Sequence, residues 1–498
     1  FFNNNPNIDF LVMYDGEFGF YEISKRFIES GFSKDRMLNG EPINGCAYYD
    51  NGEEKVVSGD TIDRPKDFDD IPSPYLTGVL DKYFDNMLLN PMIQTTRGCP
   101  FLCAYCWAGN KYHSQMRHFS LDRVMAELEY IIERRKSSIN RRFHICDTNF
   151  GMFLKDEKIA DRIAWYQENY NYPSTFSAPC AKNNKEIGIR IAKKVKNTLI
   201  SVSIQSTNAK IQHNVNRQAI DLEEYKQIVA RFQELNIPVS TEIITGPPGE
   251  TKETHLQTIK DVINMGINEI EAFTLMLLEG IELSSDLSQE KNKWDKRYRI
   301  LPRNYGKYRD KVCFEIETIA VGSNTYTFAD YLYLRGFHGA LRVIFNSGFF
   351  VEFTSYMRQY RIDLFEFSMK FYENLQTDSG PAGEQFCTFL KEARNEIWDS
   401  KEEIYELLRS DINYNKLLAG EYGENLLGKY KFKTICENFE PMCDFYYKQV
   451  VGAMKENRLF GQQAKLEIED LKASILAKAG NIFSEQNMKG EPLFVALW

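Results

Sequence analysis

From residue 91 to about residue 278 the apolar positions change period again and again. Short runs rich in β-branched and aromatic residues alternate with longer stretches in which apolar side chains return every three or four positions. Met92–Thr96, Phe143–Asp147, Thr175–Ala178, Leu199–Ile204, Val239–Thr245 and Ile270–Leu275 read as strands. Leu121–Arg134, Lys158–Tyr170, Lys185–Val195, Leu222–Leu235 and Thr251–Met265 read as helices. Strands that alternate with helices predict a parallel sheet, and right-handed crossovers curl it into a partial or full barrel. Chemistry in such barrels sits at the C-terminal ends of the strands.

The flanks read differently. Residues 8–14 look like a buried strand, Asp15-Gly16-Glu17 like a turn and 18–30 like a helix. One such β-turn-α unit cannot bury itself alone. Residues 40–88 read as a linker with a hairpin from Gly45 to Val57 and an acidic, proline-rich stretch, Asp67–Pro74. After about residue 290 the alternation stops. Residues 311–349 are aromatic and strand-like in part, and 350–376, 383–410 and 440–478 look helical. The chain divides on this reading into 1–40, a linker at 41–88, a barrel at 89–290 and a C-terminal substrate or accessory region at 291–498. Its 498 residues suit about three domains.

The composition, 43% hydrophobic and 26% charged, is globular. A net charge of −9 argues against nucleic acid or an anionic membrane as partner. No apolar run reaches the ~18 residues of a membrane span, and no basic-then-apolar leader opens the chain. Phe1-Phe2 without an initiator Met is expected of a segment of a longer protein. Of ten cysteines, Cys99, Cys103 and Cys106 are clustered and the others, Cys180 among them, are scattered. That pattern suits a cytoplasmic protein with one metal site, not a disulfide framework.

The clustered cysteines lie in Thr96-Arg97-Gly98-Cys99-Pro100-Phe101-Leu102-Cys103-Ala104-Tyr105-Cys106-Trp107, spaced Cys-x3-Cys-x2-Cys, just after the first strand. Three thiolates on one short loop can hold three irons of a cubane cluster and leave the fourth iron open. An open coordination position marks a catalytic metal site. The alternative is a zinc site completed by His113 or His118.

This segment resembles the radical S-adenosylmethionine (SAM) superfamily, whose motif is Cys-x3-Cys-x-aromatic-Cys, with Tyr105 as the aromatic. The resemblance implies that SAM chelates the open iron of a 4Fe–4S cluster through its amino and carboxylate groups. Electron transfer, from a donor such as flavodoxin or ferredoxin, then cleaves SAM to a 5′-deoxyadenosyl radical that abstracts hydrogen from a substrate. Further stretches match. Asp147-Thr148-Asn149-Phe150-Gly151 ends the second strand, where relatives place polar residues near the SAM amino group; the alternative for Asp147 and Asn149 is an Asx turn. Gln205-Ser206 ends the fourth strand, where relatives often carry Glu-Ser near the ribose and methionine, so Gln205 departs from the pattern. Arg217 matches an arginine placed near the SAM carboxylate, a bidentate task that suits a guanidinium; otherwise it is a surface arginine. Gly246-Pro247-Pro248-Gly249-Glu250-Thr251 resembles the turn that approaches adenine, with Gly246 and Gly249 as its glycines, and is otherwise a loop in which Thr251 caps the next helix. No catalytic residue is singled out.

Residues 9–23 resemble the end of a cobalamin-binding domain fused to a radical SAM barrel. Relatives read Gly-Glu-Gly-Glu where this chain has Tyr14-Asp15-Gly16-Glu17, and Asp67–Pro74 resembles their Asp-x-Asp-x-Ile-Pro-x-Pro linker. Most of such a domain would precede Phe1, and no Asp-x-His-x-x-Gly motif offers a histidine to cobalt. The expected fold is therefore α/β: a partial (β/α)6 radical SAM barrel, preceded by the end of a Rossmann-like cobalamin-binding domain and followed by a mainly helical C-terminal region. Methylthiotransferases, which share a similar barrel, are rejected, because only Cys46 precedes the cluster and the tail is not notably basic.

Tyr326, Phe328, Tyr331, Tyr333, Arg335, Phe337, His338 and Arg342 crowd one stretch, which can line a pocket for a planar or anionic substrate or form the core and rim of an appendage. The runs Arg134-Arg135-Lys136, Arg141-Arg142 and Lys193-Lys194 fall near helix ends and read as solvated faces. The expected function is cobalamin-dependent methyl transfer to a small-molecule or natural-product intermediate. A cobalamin-independent radical SAM rearrangement, oxidation or coupling, or a non-catalytic iron–sulfur protein, are the alternatives.

Overall fold

Six parallel strands stand side by side in chain order in the computed structural model, which describes residues 2 and 8–482 except 51, 180, 182–184, 219–220, 236 and 309–310. They are β1 (Met92–Ile93), β2 (Arg142–Ile145), β3 (Thr175–Ser177), β4 (Thr198–Ser201), β5 (Val239–Thr245) and β6 (Glu269–Thr274). Helices α1 (Leu121–Arg135), α2 (Leu154–Tyr170), α3 (Lys185–Lys194), α4 (Leu222–Glu234) and α5 (Lys252–Asn264) form the crossovers. β1 and β6 are the two edges, so the (β/α)6 barrel is partial. Cys180 lies outside the described residues.

The crossovers begin where side chains can satisfy the first free backbone N–H groups. Ser120 accepts from Arg123 N at α1, Asp221 from Glu223 N and Glu224 N at α4, and Thr251 from Thr254 N at α5. Between the layers, Ile131 and Ile132 of α1 and Ile159 and Ile163 of α2 close over Phe143, Ile145 and Phe176. Each such fully buried apolar side chain contributes about 1.5–3 kcal/mol. The other half of the barrel has no separate core. Ile243, Val229 and Ile259 share one cluster with Phe337 and Leu341, which follow residue 290. The C-terminal region thus continues the barrel's hydrophobic core.

That region opens with a long hairpin, β7 (Asp295–Tyr308) and β8 (Lys311–Gly322), and β8 runs antiparallel to the chain that leaves β6, where Leu277 N donates to Thr318 O (2.9 Å) and Ala320 N to Leu275 O (3.0 Å). Helix α6 (Phe328–Ile344) and further helices from Val351 to Ile482 complete it. The aromatic stretch Tyr326–Arg342 is therefore mostly helix. Tyr331, Leu334, Phe337 and Leu341 are buried at helical spacing, Arg335 pairs with Glu396 at 3.0 Å, and Arg342 pairs with Glu271. Arg135 likewise departs from the solvated reading. It is 2% exposed, and its Nη2 donates to the carbonyls of Asn86 (3.1 Å) and Leu89 (2.9 Å).

At the N-terminus Leu11–Val12 pairs antiparallel with Cys46–Asp50, which pairs with Lys55–Ser58. The expected hairpin forms, but the sheet it builds crosses the boundary expected at residue 40. The strand expected at 8–14 is short and only half-buried, because one neighbour covers it: Ile8, Leu11 and Tyr14 stay exposed. The helix Gly16–Glu29 follows. Among the described residues no helix is long and apolar enough to cross a membrane.

Candidate functional site

The loop after β1 is closed at its base by a short antiparallel pair, Thr96–Arg97 with Arg117–His118. Inside it the backbone folds back on itself. Cys99 N donates to His113 O (2.9 Å), Cys106 N to Cys103 O (3.0 Å) and Gly109 N to Cys106 O (2.9 Å), while Ala104 N donates to Val215 O (3.0 Å) across the barrel mouth. Gly98 has φ +109°, and a Cβ there would lie 2.6 Å from His113 O, so the residue before the first cysteine must be glycine. Cys99 and Cys103 are buried and Cys106 is half-buried. Among the described residues no three His, Cys, Asp or Glu side chains converge on a single-ion site. Three thiols spaced Cys-x3-Cys-x2-Cys on one loop are the donor set that three irons of a cubane cluster need. Of the two histidines offered for zinc, His118 is hydrogen-bonded elsewhere, whereas His113 makes ring contacts. His118 meets Thr96 Oγ1 at 3.0 Å, and burial, with Lys155 and Arg117, pushes its imidazole down to about 4. The His113 ring packs on Trp107 and Tyr112.

The end of β2 fixes this loop. Asp147 is 2% exposed and accepts from Thr95 N (2.6 Å), Thr96 N (3.1 Å) and the Thr95 hydroxyl (2.5 Å). Burial pushes its carboxyl up and the Thr95 hydrogen bonds draw it back. Asp147 therefore ties β2 to the end of β1. Thr148, which sequence reasoning passed over, donates its hydroxyl to Gly98 O (2.6 Å). Asn149 reaches the cysteines themselves: its Nδ2 donates to Cys99 Sγ (3.3 Å) and to Thr148 Oγ1 (3.2 Å), while its Oδ1 is buried with no hydrogen-bond partner. An unpaired buried amide oxygen costs about 1–3 kcal/mol, which a ligand donor at that atom would recover.

On the far side of the mouth Arg217 Nη1 donates to the Tyr105 hydroxyl (2.9 Å) and Nη2 to Ser203 O. The guanidinium is half-buried and joins the cluster loop to the end of β4; it is not a free surface arginine. Burial pushes the Tyr105 phenol well up, so it stays protonated. Gln205 has φ +66°, is bridged to β5 through Gln205 N to Glu242 O (2.8 Å) and Ile244 N to Gln205 O (3.1 Å), and carries a second buried, unpartnered amide oxygen, Oε1. Ser206 turns instead toward α5, with its Oγ 3.4 Å from Thr258 Oγ1. In the turn after β5, Gly246 (φ +91°) and Gly249 (φ +85°) need left-handed backbone, and Gly246 N donates to Glu250 Oε2 (2.6 Å).

One constellation was not visible in the sequence. Asp15, read there as part of a turn, is buried between Arg64 Nε (2.7 Å) and Arg97 Nη1 (3.5 Å). Arg97, the second residue before Cys99, also holds Glu17 with both guanidinium nitrogens at 3.0 and 2.8 Å. This locks the Gly16–Glu29 helix onto the cluster loop. A cavity of about 650 Å3 remains between them, walled by Tyr14, Phe20, Trp107, Ala108 and His113. The His113 Nε2 beside it is buried without a partner.

Residues 93–262 match the model of the radical SAM superfamily. A 2-(S-pantetheinyl)-carbapenam-3-carboxylate methyltransferase from Streptantibioticus cattleyicolor is 27% identical over 278 residues, 54% of this chain and 39% of that protein. The cobalamin-dependent radical SAM methyltransferase TokK from Streptomyces tokunonensis is 27% identical over 295 residues, 57% of this chain and 42% of that protein. This chain thus spans about two-fifths of the length of these curated relatives. The solved structure of OxsB, a cobalamin-dependent SAM radical enzyme with aqua-cobalamin and SAM bound, has a TM-score of 0.46 at 11% identity, covering 97% of this chain and 69% of that one.

Proposed function

We propose that this chain, whose residues 93–262 match the radical SAM superfamily, is a cobalamin-dependent methyltransferase acting on a small-molecule or natural-product intermediate. The observation that carries the proposal is the docking of the N-terminal segment on the cluster loop. Arg97 binds Asp15 and Glu17, and the cavity left between segment and loop is lined by Gly98 and Trp107, the chain neighbours of Cys99 and Cys106. Aromatic walls at Tyr14, Phe20 and Trp107 suit a flat cofactor at that position.

When bound, the cluster and SAM supply a 5′-deoxyadenosyl radical and cobalamin supplies the methyl group. The chain's part is to bind, orient and keep water out. Cys99, Cys103 and Cys106 hold three irons. Asn149 orders Cys99 through its N–H and offers Oδ1 to the SAM amino group. Gln205, with its buried and unpartnered Oε1, would serve the ribose and methionine portion of SAM. Arg217 braces Tyr105 and presents positive charge to the SAM carboxylate. Gly246 and Gly249 let the backbone of their turn approach adenine. Asp147 and Ser206 act from behind, by holding strand ends. An electron donor such as flavodoxin or ferredoxin supplies the reducing electron.

Methyl-labelled SAM tests the reading. With reductant, hydroxocobalamin and a substrate panel, the reconstituted protein, extended upstream of Phe1, should pass label to the corrin and then to a product. Deoxyadenosine release without label on the corrin would instead favour a cobalamin-independent radical SAM reaction.

A further inference from the structure

The turn Gly246–Glu250 is supported by residues that lie outside the barrel. Thr325 Oγ1 donates to Glu250 O (2.6 Å), and a Cβ on Gly246 would collide with the Tyr326 hydroxyl. A buried polar chain starts in the same turn. Glu250, 2% exposed, accepts the Gly246 N–H on Oε2 at 2.6 Å. Its Oε1 lies 3.1 Å from His255 Nδ1, in the first turn of α5. His255 Nε2 then lies 2.9 Å from His338 Nε2 on α6. His255 is 0% and His338 4% exposed, so water cannot replace a missing member.

We infer that His338 is a positioning residue for SAM, acting through His255 and Glu250 on the turn at Gly246, so that the C-terminal helical region sets the backbone on which adenine rests; this builds on the reading of that turn given above. The proton count supports one arrangement. Two ring nitrogens 2.9 Å apart need one proton between them. Burial, reinforced by His255, Arg335 and Arg342, pushes the His338 imidazole well below the usual histidine range, so the ring is neutral. Nδ1 of His255 and Oε1 of Glu250 are 3.1 Å apart but off line for a hydrogen bond, so the contact is electrostatic; beside a carboxyl oxygen it is Nδ1 that carries the ring proton, which leaves His255 Nε2 as acceptor. His338 Nε2–H is then the donor, and both N–H groups lie on the side toward Glu250. The carboxylate so oriented keeps its other oxygen on Gly246 N–H. A purely apolar contact between α5 and α6 would not need a donor at position 338.

The test uses the anaerobically reconstituted protein, with SAM itself as probe. His338→Phe fills the space and removes the donor; it should raise the SAM dissociation constant about tenfold, the size expected for one buried hydrogen bond and its unpaired partner. Iron content and kcat for deoxyadenosine release at saturating SAM should stay within about twofold, since the cluster face is untouched. His338→Gln restores a donor and should bring SAM affinity back to within about threefold of the parent. If the phenyl ring cannot be packed, His338→Met, unbranched and without a donor, carries the same expectation. Gly246→Ala separates the two layers of the argument. Loss of SAM affinity in Gly246→Ala with none in His338→Phe or His338→Met would overturn the role of His338. Unchanged affinity in Gly246→Ala would overturn the reading of the turn itself. Equal loss in His338→Phe and His338→Gln would reduce His338 to packing and overturn the inference.

Discussion

Replacing Asn149 by alanine removes the side chain whose Nδ2 donates to Cys99 Sγ and whose buried Oδ1 is proposed to meet SAM. Two contacts disappear: the donation from Nδ2 to Cys99 Sγ at 3.3 Å, and the buried Oδ1 that has no protein partner. The first orders a ligand that also has Cys103 and Cys106 on its cluster, so the cluster should survive. The second is the proposed acceptor for the SAM amino group. A hydrogen bond to a charged donor contributes about 1.5–3 kcal/mol. Asn149 is 4% exposed, so solvent screening takes little from that figure. About 2 kcal/mol corresponds to about thirtyfold in SAM affinity. Equilibrium binding of SAM to the reconstituted variant, with iron counted in the same sample, reads the effect. Asn149→Asp sharpens it. The aspartate keeps an acceptor but loses the N–H to sulfur, so SAM affinity should return to within about threefold while the cluster becomes harder to reduce. Asn149→Ala that keeps its iron and binds SAM within about twofold of the parent would refute the assignment of Oδ1.

Arg97→Ala cuts both hydrogen bonds to Glu17 and leaves Asp15 with Arg64 as its remaining arginine partner. Glu17 is part-exposed and can turn to water, so the cost should be about 1–2 kcal/mol, seen as a lower urea midpoint; an unchanged midpoint would contradict the lock between the N-terminal helix and the cluster loop. Burial holds His144 and His338 below the usual histidine range. The unfolded chain, with ordinary imidazoles near about 6.5, then binds protons that the fold does not, so stability is complete above about pH 7 and falls as the pH drops through about 6.5. A urea midpoint that stayed flat from about pH 7.5 to 5.5 would contradict this. Cys313 is exposed on β8, and Cys313→Ala should leave the iron content unchanged.

Elements that carry their own signal were legible in the sequence. Val239–Thr245 is dominated by β-branched residues and is followed by a glycine turn and a Thr cap, so strand and helix start both show locally. The cysteine spacing and its glycine show in the same way, because Gly98 must be glycine for reasons within the loop. What was not legible depends on partners far away in the chain. Asp147 looks the same in sequence whether it faces a ligand or, as here, the N–H groups of Thr95 and Thr96 some fifty residues earlier. Arg135 sits among charged residues at a helix end and reads as solvated, yet two loop carbonyls take it into the interior. Tyr331, Leu334, Phe337 and Leu341 do carry a helical period, but the aromatics between them hide it. Asp15, Glu17 and Arg97 meet across about eighty residues, and no local pattern pairs them.

The central claim is that Cys99, Cys103 and Cys106 hold a 4Fe–4S cluster with one iron open to SAM. Electron paramagnetic resonance of the anaerobically reconstituted, reduced protein, recorded with and without SAM and alongside Cys103→Ala, tests it directly. The cluster signal should shift when SAM is added and 5′-deoxyadenosine should be released, and Cys103→Ala should lose both. A signal indifferent to SAM, or a Cys103→Ala protein that still releases 5′-deoxyadenosine, would contradict it.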